Sequence, residues 1–428
     1  MRIGLFTDSY HPASNGVVVV IDTTRRELER AGHEVWVFAP DGGVLPSNRL
    51  PDDDHVVRFP AIQYDLQIAL MFPRQVVKYC REYQLDIIHF FTPATLGLSA
   101  TLAAYRTGAV LVGQHSTDTY EFSKDYPAIV GAYIAEGLLI PLMTKLSSTQ
   151  KKQMFKLYTS PRRKDPQERW AQRFIAGMTA LLYSNTDGLV AVSHKSAQQL
   201  LGFAERNKQQ INVRVIPSGV DVMPPAESAA VEAFKAQWDI APEDEVIINF
   251  GRMAEEKNQV LLVQMLPILL TTRPHAKVVL AGDYVFREEL EAIADASPVR
   301  DRIVFTGRYA RSELPVMCAA ADLFAFPSLT DTQALVLNEA AGQSLPIVMC
   351  DENVNDVFVN GVNGVMAKPE PADFAAKVSG LLADPARLAE MAEQSRRLAL
   401  EFSEEAQTTR LVEFYEELER AKYPLRFI

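Results

Sequence analysis

The sequence predicts an α/β protein built from two doubly wound domains. Three observations predict it. Short β-branched runs alternate with longer amphipathic stretches, and the alternation occurs once in each half of the chain. The runs are continuously apolar, as parallel strands covered on both faces must be. At 428 residues the chain is too long for one core, because a domain holds roughly 100–200 residues.

In the first half the candidate strands are Ile3–Thr7, Glu34–Phe38, Ile87–Phe90, Val110–Gly113 and Gly188–Val192. A helical pattern over Val18–Ala31 stops at Gly32, a residue suited to a left-handed helix end. The second half offers strands Val246–Asn249, Lys277–Ala281, Ile303–Thr306, Leu323–Ala325 and Ile347–Met349. Helices are expected over Asn258–Thr272 and Ala334–Gln343. The Pro- and turn-rich Ile216–Pro225 follows a strand-like Val213–Ile216 and marks the boundary. Phe402–Tyr423 reads as an amphipathic, acidic helix pair.

Charge and cysteine usage exclude several classes. Acidic residues outnumber basic ones, 54 to 43, so the net charge of −11 has the wrong sign for a global nucleic-acid footprint. Cys80, Cys318 and Cys350 lie far apart, fit no metal or disulfide pattern and read as small core residues of a reducing compartment. The opening apolar run is too short for a signal peptide, and no 18 consecutive apolar residues occur. A cytoplasmic location is expected, which leaves room for lying on a membrane.

One segment departs from the rest. Lys145–Arg173 holds nine basic residues against Asp165 and Glu168, giving +7 inside a chain that is −18 elsewhere. Pro141 and Pro161 bracket a helix-length stretch, and Met154, Phe155, Leu157 and Tyr158 are interleaved with its lysines. An anionic lipid surface accounts for this composition, and so does a solvated helical excursion.

Two stretches carry candidate chemistry. Gly251-Arg252-Met253-Ala254-Glu255-Glu256-Lys257-Asn258 follows a strand and opens a helix. Ligands of open α/β sheets bind at such carboxyl ends, where Arg252 and Lys257 could clamp a diphosphate. Taken alone, the two also suit a solvated helix start. Pro327–Gly342 likewise leads from a strand into a helix, with Asp331 and Glu339 eight residues apart. The helix N-terminus offers N–H groups to phosphate and Glu339 could accept from ribose hydroxyls, although Asp331 alone could be a helix cap. Asp52-Asp53-Asp54 reads as an exposed acidic turn, and no metal site is expected.

Together these stretches resemble the retaining nucleotide-sugar glycosyltransferases of family 4, also grouped as glycosyl transferases group 1. Gly251–Asn258 is similar to that family's Gly-Arg-Leu-x-x-Glu-Lys-Asn stretch, and Asp331 and Glu339 hold the acidic positions of its Glu-x7-Glu motif. Further landmarks are Pro12–Val17, Gly32–Val35, Asp86–His89, Pro217–Asp221 and Asn360–Gly364. The resemblance implies the GT-B fold, two Rossmann-like domains facing across a cleft that closes to exclude water. It implies an acceptor-side domain over 1–215, with a C-terminal helix 410–428 packing back on it, and a donor-binding domain over 216–409. Arg252 and Lys257 would hold the diphosphate, and Glu339 the ribose. Thr332, Gln333, Ala334 and Leu335 would meet the diphosphate and sugar, Gly16 would let its loop approach the donor, and His115 would touch the transferred hexose. The implied catalytic set is His115, Arg252, Lys257 and Asp331.

This sequence departs from the family's pattern where the sugar is read. Asp331 replaces Glu, Ala334 replaces Gly, Gln333 replaces an aromatic, and the histidine motif runs His115-Ser116-Thr117-Asp118. The implied reaction is metal-independent, cofactor-free transfer from a nucleotide-diphosphate sugar, UDP-sugar favoured, with the anomeric configuration kept. The acceptor expected is a lipid or lipid-linked hydroxyl at the inner face of the cell membrane, as in similar glycolipid-synthesising members. Soluble synthesis of a small glycoside or polysaccharide, and a non-catalytic nucleotide-sugar-binding protein, are the alternatives.

Overall fold

The structure is a computed structural model that describes residues 1–13, 16–45, 50, 53–63, 67–70, 72–123, 127–159 and 169–424. It divides into two compact units: Met1–Gly219 with Gln407–Ile428, and Val220–Ala406.

The first unit contains β1 (Arg2–Phe6), β2 (Glu34–Pro40), β3 (Val56–Phe59), β4 (Ala61–Gln63), β5 (Gln67–Ala69), β6 (Ile87–Phe90), β7 (Val110–His115), β8 (Gly188–Ala191) and β9 (Val213–Val215). Seven of these form a parallel sheet in the order β3-β2-β1-β6-β7-β8-β9, and β4 and β5 pair as an antiparallel hairpin. Alternate side chains feed two layers, as the pleat requires. Phe6, Phe38 and Phe90 enter one, while Ile3, Val35, Ile87 and Val110 enter the other.

That second layer is covered by Leu411, Phe414, Tyr415 and Leu418 of the helix Glu404–Lys422. The expected helix pair over Phe402–Tyr423 is therefore one helix. The Ser403 hydroxyl accepts from Ala406 N–H at 3.3 Å at its start, and no Gly or Pro interrupts it. The Tyr415 hydroxyl lies 2.6 Å from His89 Nδ1 in the buried strand β6, and Lys422 pairs with Asp187 at 2.7 Å.

The basic segment also needs correction. Pro141 lies inside the helix Pro127–Met143, and the following helix is Ser148–Thr159. Met154, Leu157 and Tyr158 pack against the first unit's core, and the Tyr158 hydroxyl donates to Ile134 O at 2.9 Å. They turn inward because the helix needs an apolar stripe to hold it. Phe155 remains exposed, as do Lys145, Lys151, Lys152 and Lys156, with Leu138 and Leu142 exposed on the preceding helix. Pro161, Arg162, Arg163, Lys164, Asp165 and Glu168 fall outside the described residues.

The second unit contains β10 (Glu245–Phe250), β11 (Ala276–Ala281), β12 (Ile303–Gly307), β13 (Leu323–Phe326), β14 (Ile347–Met349) and β15 (Gly364–Met366), parallel in the order β12-β11-β10-β13-β14-β15. Both sheets reverse their winding at a central pair, β1/β6 in the first and β10/β13 in the second. Open α/β sheets bind ligands just outside the strand ends at that reversal.

Candidate active site

Two loops build the crevice at the β10/β13 reversal. After β10 the chain runs through Gly251–Ala254 into a 3₁₀ turn, Glu255–Lys257. Gly251 and Gly282 have φ of 139° and 143°, and a Cβ on Gly282 would lie 1.8 Å from the Gly251 carbonyl oxygen. Glycine is what lets these two loop backbones cross. Asn258 closes the turn at φ 56°, so the helix begins at Val260, two residues later than the periodicity suggests. Its side chain donates to Pro327 O at 3.3 Å, and the Ser328 and Thr330 hydroxyls donate to Glu256 O at 3.3 Å each. The two loops are thus stitched together.

Lys257 Nζ pairs with Asp331 Oδ1 across the crevice, and both side chains are largely buried. The second oxygen, Asp331 Oδ2, is buried with no hydrogen-bond partner among the described residues. Asp331 is therefore not a helix cap. The N-cap of Leu335–Gly342 is Ala334, and no side chain caps that helix. Ala334 stands at φ 54°, a region that costs a non-glycine residue energy. Asn355 holds the turn by donating to Gln333 O at 2.7 Å and Ala334 O at 3.2 Å. This brings Thr332, Gln333, Ala334 and Leu335 to the mouth of the helix.

Arg252 is not joined to Lys257. Its half-exposed side chain lies 3.8 Å from the Glu256 carboxylate and 5.1 Å from the centre of the Tyr284 ring. Glu339 lies within the helix, its Oε1 3.5 Å from Arg311 Nε. Burial pushes the Glu339 carboxyl above its ordinary value, and Arg311 pulls the other way. Tyr309 and Cys318 are held above theirs by burial and by the charge of Glu339.

The first unit carries the remaining candidates. Gly16 opens the helix Gly16–Arg30, and a Cβ there would meet nothing within 4 Å; Ser14 and Asn15 fall outside the described residues. His115 ends β7, 4% exposed, with Nδ1 3.3 Å from the Tyr183 hydroxyl. Its Nε2 is buried and has no hydrogen-bond partner among the described residues. Burial keeps the imidazole below its ordinary value against the opposing pull of Asp118 and of the Gln199 side chain. Asp118 accepts from Glu121 N–H at 3.0 Å and from Gln199 at 2.9 Å.

Two further acids were not identified from the sequence. Asp8 lies just past β1, at the reversal, and accepts from the Thr92 and Thr95 hydroxyls at 2.8 and 2.7 Å and from Leu96 N–H at 3.1 Å. Burial raises its carboxyl. Glu136, on Pro127–Met143, is pushed up to about 8 by burial and by the charge of Asp8. An acid directly after the first strand was the available signal for Asp8. Glu136 becomes notable only through its distant neighbour.

Comparison with known proteins bears on this arrangement. The profile described as glycosyltransferase family 4 matches residues 14–223, and that described as glycosyl transferases group 1 matches residues 230–398. The chain is 27% identical over 396 residues to an alpha-monoglucosyldiacylglycerol synthase of Streptococcus pneumoniae, covering 90% of this chain and 79% of that one. It is 27% identical over 357 residues to a GDP-mannose-dependent alpha-mannosyltransferase of Mycolicibacterium smegmatis, covering 82% and 80%. The crystal structure of Anabaena HepE in complex with UDP superposes with a TM-score of 0.69 at 18% identity, covering 97% of this chain and all of that one. Two parallel sheets flanked by helices, with loop crevices at their reversals, match the fold of GT-B structures. The chain belongs to glycosyltransferase family 4, of the glycosyl transferases group 1.

Proposed function

We propose that this protein is a retaining, metal-independent hexosyltransferase that moves a sugar from a nucleotide-diphosphate donor, UDP-sugar favoured, to the hydroxyl of a lipid or lipid-linked acceptor at the cytoplasmic membrane surface. The observation that carries the reading is the second unit's crevice, where the Lys257–Asp331 ion pair joins the two loops at the β10/β13 reversal and the helix that follows Asp331 has no side-chain cap. Arg252, Lys257 and the helix N–H groups would neutralise the leaving diphosphate, the electrostatic work a metal does elsewhere. Glu339 would accept from the ribose hydroxyls. His115, at the carboxyl end of β7, would contact the transferred hexose. Relatives named for alpha-linked products support retention, because α-configured nucleotide sugars give such products with retention.

The acceptor reading draws on the first unit. Asp8 and Glu136 are electrostatic neighbours, and burial rather than a cation dominates both. A carboxyl-rich crevice suits a neutral hydroxyl acceptor and disfavours an anionic one. Exposed Leu138, Leu142 and Phe155 near exposed lysines in sequence suit a lipid surface, and an S. pneumoniae relative is named for a diacylglycerol glycolipid. Among the described residues no helix is long and apolar enough to cross a membrane. The test is nucleotide release from UDP-, GDP- and ADP-hexoses, with diacylglycerol vesicles or soluble sugars as acceptor. Release that requires the lipid supports the proposal, while equal transfer to soluble sugars overturns its acceptor part. Donor binding without turnover under any condition would mark a non-catalytic binder.

A further inference from the structure

Arg311 is the cation that acts on Glu339, and neither the sequence motifs nor the proposed chemistry gives it a role. It opens a 3₁₀ turn, Arg311–Glu313, after β12. The turn is pinned by Glu313, whose carboxylate accepts from Ala310 N–H at 2.5 Å. The groups facing the Glu339 carboxyl come from three elements: Arg311 of this turn, Tyr309 just before it, and Cys318 of the helix Leu314–Ala319. Burial keeps Tyr309 and Cys318 neutral at ordinary pH, so the balancing charge comes from Arg311. The 3.5 Å separation is an ion-pair distance, longer than a tight hydrogen bond, so the attraction is mainly electrostatic.

We propose that Arg311 is a positioning residue for the donor nucleotide, keeping the Glu339 carboxylate an anion able to accept from two adjacent ribose hydroxyls. The proposal rests on the reading of Glu339 as the ribose-binding group. An ionised carboxylate only accepts; once protonated it becomes a donor at one oxygen and serves a pair of hydroxyls less well. Without Arg311, burial favours the neutral acid.

The experiment is calorimetric titration of the intact protein with UDP, GDP and ADP between pH 6 and 8.5, following the tightest binder. Each variant is expressed as a ratio to wild type at the same pH, which cancels the nucleotide's own titration. Arg311→Met should bind more weakly at pH 6, by at most about tenfold for each unit by which the carboxyl rises, and recover toward wild type as pH rises. Arg311→Lys should stay near wild type throughout. Glu339→Gln should bind weakly at every pH, and adding Arg311→Met to it should change nothing. Wild-type affinity of Arg311→Met at every pH would overturn the proposal, and so would a loss of constant size, which would mean that the guanidinium touches the nucleotide itself. Wild-type affinity of Glu339→Gln would instead remove the underlying ribose reading.

Discussion

The two sheets carry similar crevices with different electrostatics: ion pairs in the second unit and, among the described residues, unpaired buried carboxyls in the first. At the β10/β13 reversal, Lys257 pairs with Asp331 just before a helix that has no side-chain cap, and Arg252 lies near Glu256 on the same loop as Lys257. At the β1/β6 reversal stands Asp8, with the acid Glu136 as its electrostatic neighbour. One backbone plan thus supplies two chemistries: the first arrangement suits a diphosphate and the second a neutral hydroxyl. The architecture fixes where ligands bind, and the side chains fix which ligands they are.

The largest effect should come from emptying the second crevice of charge. Lys257→Ala and Arg252→Ala should each lower turnover by about 10²–10³, as lost electrostatic donors do elsewhere. Steady-state rates with the true donor check this, and EDTA should leave them unchanged. Complete inhibition by EDTA would contradict metal independence. Next comes affinity: Glu339→Ala should weaken donor binding by roughly 1.5–3 kcal/mol, the range for hydrogen bonds to a charged group. Unchanged calorimetric affinity in the folded variant would remove Glu339 from the site.

Acid should separate the two units by stability. His33, His89 and His115 all lie in the first unit with values lowered chiefly by burial, His89 to about 3. Such a histidine is neutral when folded and protonates in the unfolded chain below about pH 6.5, so stability falls as pH drops through that value. Each removes at most about 1.4 kcal/mol per pH unit. The three together outnumber the raised carboxyls Glu136 and Asp8, which act in the opposite sense because they are protonated in the fold before they are in the unfolded chain. Hydrogen exchange at pH 7 and pH 5.5 should show first-unit amides losing protection sooner than second-unit amides. Equal losses in both would contradict the assignment.

The smallest effect per residue concerns the lipid surface, where each lysine contributes about 1 kcal/mol. Gln at Lys145, Lys151, Lys152 and Lys156, with Glu at Leu138, Leu142 and Phe155, should abolish sedimentation with anionic vesicles while sparing donor hydrolysis. High salt should also release the wild-type protein, because the Debye length falls to about 3 Å at 1 M. Equal binding to neutral vesicles would argue against this surface.

Much of the fold was legible because buried parallel strands are continuous apolar runs. Ile87–Phe90 and Ile347–Met349 have the bounds their sequences suggest. Val56–Phe59 and Gly364–Met366 were missed because Arg58 breaks the first apolar run and Gly364 opens the second, so neither reads as a continuous buried strand. Phe402–Tyr423 was misread because its apolar residues form one stripe that the core, not a second helix, covers. The motifs brought out Arg252, Lys257, Asp331 and Glu339, but not which residues they would meet. Lys257–Asp331 spans 74 residues, and Arg311–Glu339 and Asp8–Glu136 join separate elements. Periodicity reports a residue's face, while pairing across a crevice emerges only when the sheet brings its loops together.

The most direct test of retention is proton NMR of the product formed from α-configured UDP-glucose and diacylglycerol vesicles in the presence of EDTA. The account predicts a glycolipid with an α anomeric proton. A β-linked product would contradict it.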